Sequence, residues 1–170
     1  MKKLLKSIAI VVSAGLLITG LFLIAMRFSD GPLEIISGGP FKTGELTSAP
    51  ASWSHLKERQ TIEFQTLDPR TSRTVWVATH NGRLFIVSGY MNTNYAAVWK
   101  QWPHYLEDDN RIILRIDGKL YEQKLNRIMD DPAVIPVLNE LSRKYLGGTA
   151  ITSNEQVAEG DTWMFEVVDR

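Results

Sequence analysis

Hydrophobic positions along the chain follow three patterns, and each pattern predicts a different kind of element. Ile8 to Met26 reads "IAIVVSAGLLITGLFLIAM", an unbroken uncharged run. At about 1.5 Å rise per residue it reaches roughly 28 Å, close to the ~30 Å thickness of bilayer hydrocarbon. From residue 61 the period becomes two. "TIEFQT" alternates Ile62 and Phe64 with Glu63 and Gln65, the pattern of a half-buried strand. "RTVWVAT" and "RLFIVSG" follow, joined through Asn81-Gly82, and "RIILRI" and "KLYEQKLNRI" flank Asp117-Gly118. Both dipeptides readily take the positive φ of a tight hairpin turn. With "TWMFEVVD" near the C-terminus there are at least six strands, too many to leave unpaired edges comfortably in one flat sheet of this size.

Helical period returns twice. Asn94 to Gln101 predicts a short helix stopped by Pro103, because the residue before a proline disfavours the helical region. A longer helix is predicted from Asp131, a cap residue, with Pro132 at its first position, an inward stripe of Ile135, Leu138, Leu141, Ser142 and Tyr145, and Gly147-Gly148 at its end. The fold class that follows is α+β and mainly β: a split antiparallel β-barrel with two flanking helices, preceded by one transmembrane helix.

Three units are expected: 1–26, a Lys-rich head and membrane anchor; 27–50, an extended packed strap; and 51–170, the barrel domain. The strap is broken by Gly31-Pro32, Gly38-Gly39-Pro40, Gly44 and Ala49-Pro50. The stretch from Ser29 to Ser54 is also studded with Leu33, Ile35, Ile36, Phe41, Leu46 and Trp53, more apolar than a solvated linker. A cleaved signal would have an apolar region of only ~7–15 residues before a small-residue site. "LIAMRFSDG" offers no A-x-A pattern, so residues 8–26 read as a retained anchor. Lys2, Lys3 and Lys6 before the span put the N-terminus in the cytoplasm. The expected place is the cytoplasmic membrane, crossed once, with the soluble domain on the periplasmic or extracellular side.

Charge and chemistry narrow the function classes. Three of the 19 basic residues precede the span, which leaves residues 27–170 with a formal charge of −3. That balance gives no basic stripe for nucleic acid. The sequence has no cysteine, which removes disulfides, thiolate metal sites and a cysteine nucleophile. His55, His80 and His104 lie too far apart to form a ligand motif, and no metal site is expected. Gly-x-Ser-x-Gly, phosphate-loop and His-Glu-x-x-His patterns are lacking as well.

The order of "TIEFQT", "RTSRTVWVATHNGRLFIVSG", "YAAVWKQWPHYLEDDNRIILRIDGKLYEQKLNRIMDD" and the final helix and strand resembles a known family. This is the split β-barrel family similar to pyridoxamine 5'-phosphate oxidase and the deazaflavin-dependent nitroreductases. "GPLEIISGGPFKTGELTSAPASW" ahead of that core looks like membrane-anchored bacterial members. The resemblance implies a homodimer with FMN or a related flavin at the interface, and an oxidoreductase whose substrate and catalytic residues stay unnamed. Carried over, the cofactor-binding positions are Arg70 and Arg73 on the strand, Ser88 and Gly89 in the turn, and Trp99 and Lys100 on the helix after it. Fork-like cations and hydroxyls suit a phosphate, and a flat aromatic wall suits an isoalloxazine ring.

Simpler readings stand beside these. Arg70 and Arg73 also suit solvated edge charges, and Trp76 and Trp99 suit barrel packing. Nitroreductase-like members often carry a Gly-Arg-x-Ser-Gly turn where this chain has Asp68-Pro69-Arg70-Thr71-Ser72-Arg73. The alternative function is a non-catalytic envelope domain that binds a ligand or a protein and has lost the cofactor.

Overall fold

Closure of the sheet is decided by the register of one long strand. The structure, a computed structural model, describes residues 2–94 and 100–170. Its elements are α1 (Lys2–Met26), β1 (Glu45–Leu46), a single 3-10 turn (Ser54–Leu56), β2 (Thr61–Thr66), β3 (Ser72–His80) and β4 (Arg83–Ser88). They continue with α2 (Trp102–Asp108), β5 (Arg111–Ile116), β6 (Lys119–Ile128), α3 (Val134–Tyr145), α4 (Glu155–Ala158) and β7 (Trp163–Asp169). The 10-residue β6 pairs antiparallel with β5 from Lys119 to Lys124 and with β7 from Gln123 to Ile128. Since β5, β2, β3, β4 and β7 are neighbours in that order, the second pairing closes six strands into a barrel. β1 is added outside, parallel to the start of β6.

Both hairpins turn where the sequence predicts. Asn81 and Gly82 have φ of 50° and 79°, and Asp117 and Gly118 have 51° and 75°. Two successive positive φ values give the turn whose twist matches that of its strands.

Alternation then sorts the side chains. Ile62, Phe64, Val75, Val77, Leu84, Ile86, Ile112 and Leu114 fill the barrel, while Ala78, Phe85 and Met164 face outward onto α3 and α4. Indole rings close the interior. Trp53 meets Tyr121 edge to face at 5.3 Å, and its backbone N–H donates to the Gly82 carbonyl in the hairpin turn at 2.8 Å. Trp102 of α2 lies 5.0 Å from Phe64 and 5.5 Å from Phe165.

The helices depart from expectation in two ways. Pro103 does not end a helix; it lies in the first turn of α2, where a missing N–H costs no intrahelical bond. Of the helix expected over 94–101, residues 95–99 lie outside the described residues, and Lys100 and Gln101 are not helical. On α3 the buried stripe is Val134, Val137, Leu138, Leu141 and Ser142, and Ile135 is 37% exposed. Asp131 accepts from the Ala133 N–H at 2.7 Å, and the regular helix begins only at Val134. The buried face is thus centred on Val134, Val137, Leu138 and Leu141, which leaves Ile135 at its margin.

Residues 27–46 are held along the barrel by backbone and by charge. Gly38 and Ser72 exchange N–H···O bonds of 2.9 and 3.0 Å, and the Phe41 N–H donates to Gln65 Oε1 at 2.6 Å. Arg115 joins this segment to β2. Its Nε donates to Glu63 Oε2 at 2.6 Å, its Nη1 to Asp30 Oδ1 at 2.8 Å, and its plane lies 4.3 Å over the Phe41 ring. Burial would raise the Asp30 carboxyl, but the Lys42 N–H, the Thr43 hydroxyl and the Arg115 guanidinium outweigh it and hold the pKa at about 2, against an ordinary 3.8.

A depressed folded-state pKa contributes stability that is complete above the unfolded value and lost as pH falls through the folded one. The amides of residues 38–46 are therefore expected to lose hydrogen-exchange protection between pH 3.8 and about 2. Asp30→Asn should show reduced protection already at neutral pH, with no further loss in that window. Equal acid profiles for the two proteins would refute the role of Asp30.

Candidate functional site

One groove gathers aromatic and cationic groups on the outer face of the barrel. It has a volume of about 430 Å³ and runs between β3 and β4 on one side and α3 on the other. Cavities of ~300–1,000 Å³ are the usual size for small-molecule sites. Val87 and Trp76 come from the strands, and Leu138, Leu141 and Tyr145 from the helix. Ser88, Gly89, Tyr90, Lys100, Asp161 and Thr162 make its polar part.

Strand alternation explains the aromatic wall. Val75 and Val77 point into the barrel, so Trp76 between them points out, and α3 covers it only in part, through its last residue. Trp76 is 52% exposed and stacks on Tyr145 with centroids 4.4 Å apart and planes 5° from parallel. Barrel packing, the simpler reading of Trp76, is thereby corrected. Tyr145 is fixed from behind: its hydroxyl donates to the Gln60 carbonyl and accepts the Val77 N–H at 3.3 Å. Burial pushes the phenol pKa up, so the ring remains neutral across the physiological range. Lys144 makes a parallel attachment, its ammonium donating to the carbonyls of Arg59 at 2.9 Å and Val77 at 3.1 Å.

The polar part is built on the exit from β4. Tyr90 has a φ of 60°, which turns the chain sharply after Gly89, and the Met91 N–H donates to the Asp161 carbonyl at 2.7 Å. Lys100 Nζ donates to the Gly89 carbonyl and lies 5.4 Å from the centre of the Tyr90 ring. Burial lowers its pKa and the Asp161 charge opposes that shift. Ser88 is 4% exposed and directs its hydroxyl at Met91 Sδ, 3.3 Å away.

Of the residues singled out from sequence, the fold brings Ser88, Gly89 and Lys100 to this groove. Arg73 is not among them. It sits opposite Phe64 on the barrel-facing side of β3, donates to Ser37 Oγ at 3.0 Å, and is driven by burial down to about 10, partly countered by Tyr105. Arg70 is exposed in the turn between β2 and β3, and Trp99 lies outside the described residues. Sequence reasoning missed the pairing of Trp76 with Tyr145. Its one available signal was the period-2 position of Trp76, on the opposite face from Val75 and Val77.

No family model matches the chain, and no curated protein matches it. Solved structures do resemble it. A conserved hypothetical protein of Mycobacterium tuberculosis is 16% identical, with a TM-score of 0.47 over 75% of this chain and 86% of its own. A Listeria innocua protein provisionally named pyridoxamine 5'-phosphate oxidase is 10% identical, with a TM-score of 0.43 over 68% of this chain and 87% of its own. An FAD-binding protein of Mesorhizobium loti is 9% identical, with a TM-score of 0.43 over 72% of this chain and 91% of its own. The fold itself rests on the strand register described above.

The attachment of Tyr145 gives a direct test. Tyr145→Phe keeps the ring and removes the hydroxyl, and a net hydrogen bond contributes about 1 kcal/mol. A loss of about that size is expected in urea denaturation, with the Trp76 environment unchanged by fluorescence. A neutral substitution would mean that the hydroxyl does not secure the wall.

Proposed function

We propose that the chain is a membrane-anchored split-barrel protein that binds a flavin-type cofactor in the groove of Trp76, Tyr145 and Lys100. One observation carries the reading: a half-exposed indole stacked on a fixed phenol ring, in the same groove as a partly buried ammonium. Such a set fits a planar ring system bearing an anionic tail. Trp76 and Tyr145 would lie along the ring, and Lys100, the Ser88 hydroxyl and the backbone at Gly89 would hold the phosphate. When bound, a flavin supplies hydride or electron transfer, and the protein supplies position, electrostatics and exclusion of water. The FAD-binding name of the Mesorhizobium loti protein agrees with this reading without carrying it.

In the same proposal, residues 8–26 cross the cytoplasmic membrane, residues 27–50 strap the chain to the barrel, and 51–170 stand outside the cytoplasm. α1 is long and apolar enough for the crossing. Pairing of two chains, as the family resemblance implies, would give Arg70 a route to the ligand from a second copy. A non-catalytic ligand-binding domain is the second reading. It is favoured by Arg73, whose guanidinium is taken up by barrel burial and Ser37.

Titration of the detergent-solubilised full chain with FMN, followed by flavin fluorescence, separates the two. Saturable binding is expected, weakened about tenfold or more by Lys100→Ala, since a charge-assisted hydrogen bond contributes ~1.5–3 kcal/mol and 1.4 kcal/mol is a factor of ten. Trp76→Ala should weaken it similarly. A folded protein that ignores FMN would leave the second reading standing.

A further inference from the structure

The chain leaving α1 carries apolar side chains where a water-facing loop would not place them. Phe28 is 72% exposed, Leu33 50% and Ile35 83%. Leu33 and Ile36 exchange backbone hydrogen bonds of 3.0 and 2.8 Å, so Glu34 and Ile35 are the two central residues of a tight turn, with φ of 50° at Glu34. Gly, Asn and Asp usually occupy such positions. An isoleucine at the tip gains nothing from the turn geometry and presents its whole side chain outward.

The loop is also pinned to the end of α1. The N–H groups of Phe28 and Ser29 continue the helix by donating to Ala25 at 2.9 Å and Met26 at 3.1 Å. A Cβ on Gly38 would lie 1.8 Å from the Gly31 carbonyl oxygen, and one on Gly39 would lie 2.4 Å from that of Arg27. These glycines allow the outgoing and returning strands of the loop to touch at its base. Ile35 is four steps along the chain from Gly31, so the tip lies within about 14 Å of that base at ~3.5 Å per residue. The polar layer of a bilayer adds ~5–8 Å on each side of its hydrocarbon.

We propose that the loop of Phe28, Leu33 and Ile35 is inserted in the lipid interface beside the exit of α1, seating the barrel on the membrane surface. The inference rests on the reading of α1 as a membrane span. The occupant is the headgroup and upper acyl region of the same bilayer, because the loop is continuous with α1 and cannot swing far from its end. Aromatic and aliphatic side chains partition into this layer. Exposed Arg27 and Lys42 flank the loop, and the Lys42 ammonium donates to the Phe28 carbonyl at 2.6 Å, placing a cation at headgroup depth. Glu34 is the carboxylate at the tip; Asp30 is engaged by Arg115 and Thr43.

The cysteine-free sequence allows single-site labelling of the full chain. Leu16→Cys, Ile35→Cys and Leu146→Cys would each carry an environment-sensitive dye in vesicles of phosphatidylcholine and phosphatidylglycerol containing nitroxide-labelled lipid. Leu146 is an exposed apolar control at 61%, just past the end of α3 and outside the loop. Blue-shifted emission and nitroxide quenching are expected at positions 16 and 35 and not at 146. Quenching at 16 with a water-like signal at 35 would overturn the seating and leave the anchor intact. Water-like signals at both would overturn the anchor and the seating with it. Equal quenching at 35 and 146 would assign the signal to the dye and also refute the proposal.

Discussion

The structure depends on one strand long enough to have two partners. β6 spends its first half beside β5 and its second beside β7, overlapping by only Gln123 and Lys124. A shorter β6 would leave β7 an open edge and the interior apolar residues facing water. Closure makes one face of every strand a common core, and the indoles of Trp53 and Trp102 then stop the two ends. The same closure defines an outside, on which β3, β4 and β7 offer Ala78, Phe85 and Met164 to α3 and α4.

The groove is a consequence of incomplete coverage. α3 seals the part of the outer face around Ala78 and Phe85, then ends at Tyr145 beside Trp76. Beyond that point the sheet face is half open, and the chain after β4 crosses it with Gly89, Tyr90 and Lys100. Aromatic wall and cation therefore come from segments distant in sequence, joined by the barrel. Arg73 illustrates how sharply the pleat decides such matters. It is three residues from Trp76, an odd step along a strand, and so lies on the other side of the sheet.

Strands and turns were legible in the sequence because they are local. "TIEFQT", "RIILRI" and "KLYEQKLNRI" coincide with β2, β5 and β6, and the Asn-Gly and Asp-Gly turns carry the positive φ values that their residue types favour. Helix positions were less legible. Pro103 suits either the end of one helix or the first turn of the next, and tertiary burial of Trp102 and Leu106 decided for the second. On α3 the buried face takes Val134 and leaves Ile135 at its margin, a small rotation that periodicity does not resolve. At the groove, Ser88, Gly89 and Lys100 were legible through family order, whereas the Trp76–Tyr145 stack needed the third dimension.

Arg115 has a mechanical meaning beyond electrostatics. It ties the segment following α1 to the centre of β2 and β5, through Asp30 on one side and Glu63 on the other. A pull on α1 would thus pass through this double ion pair and the Gly38–Ser72 bridge directly into β2, β3 and β5. The barrel would be held at its wall by three adjacent strands, and not by one chain end.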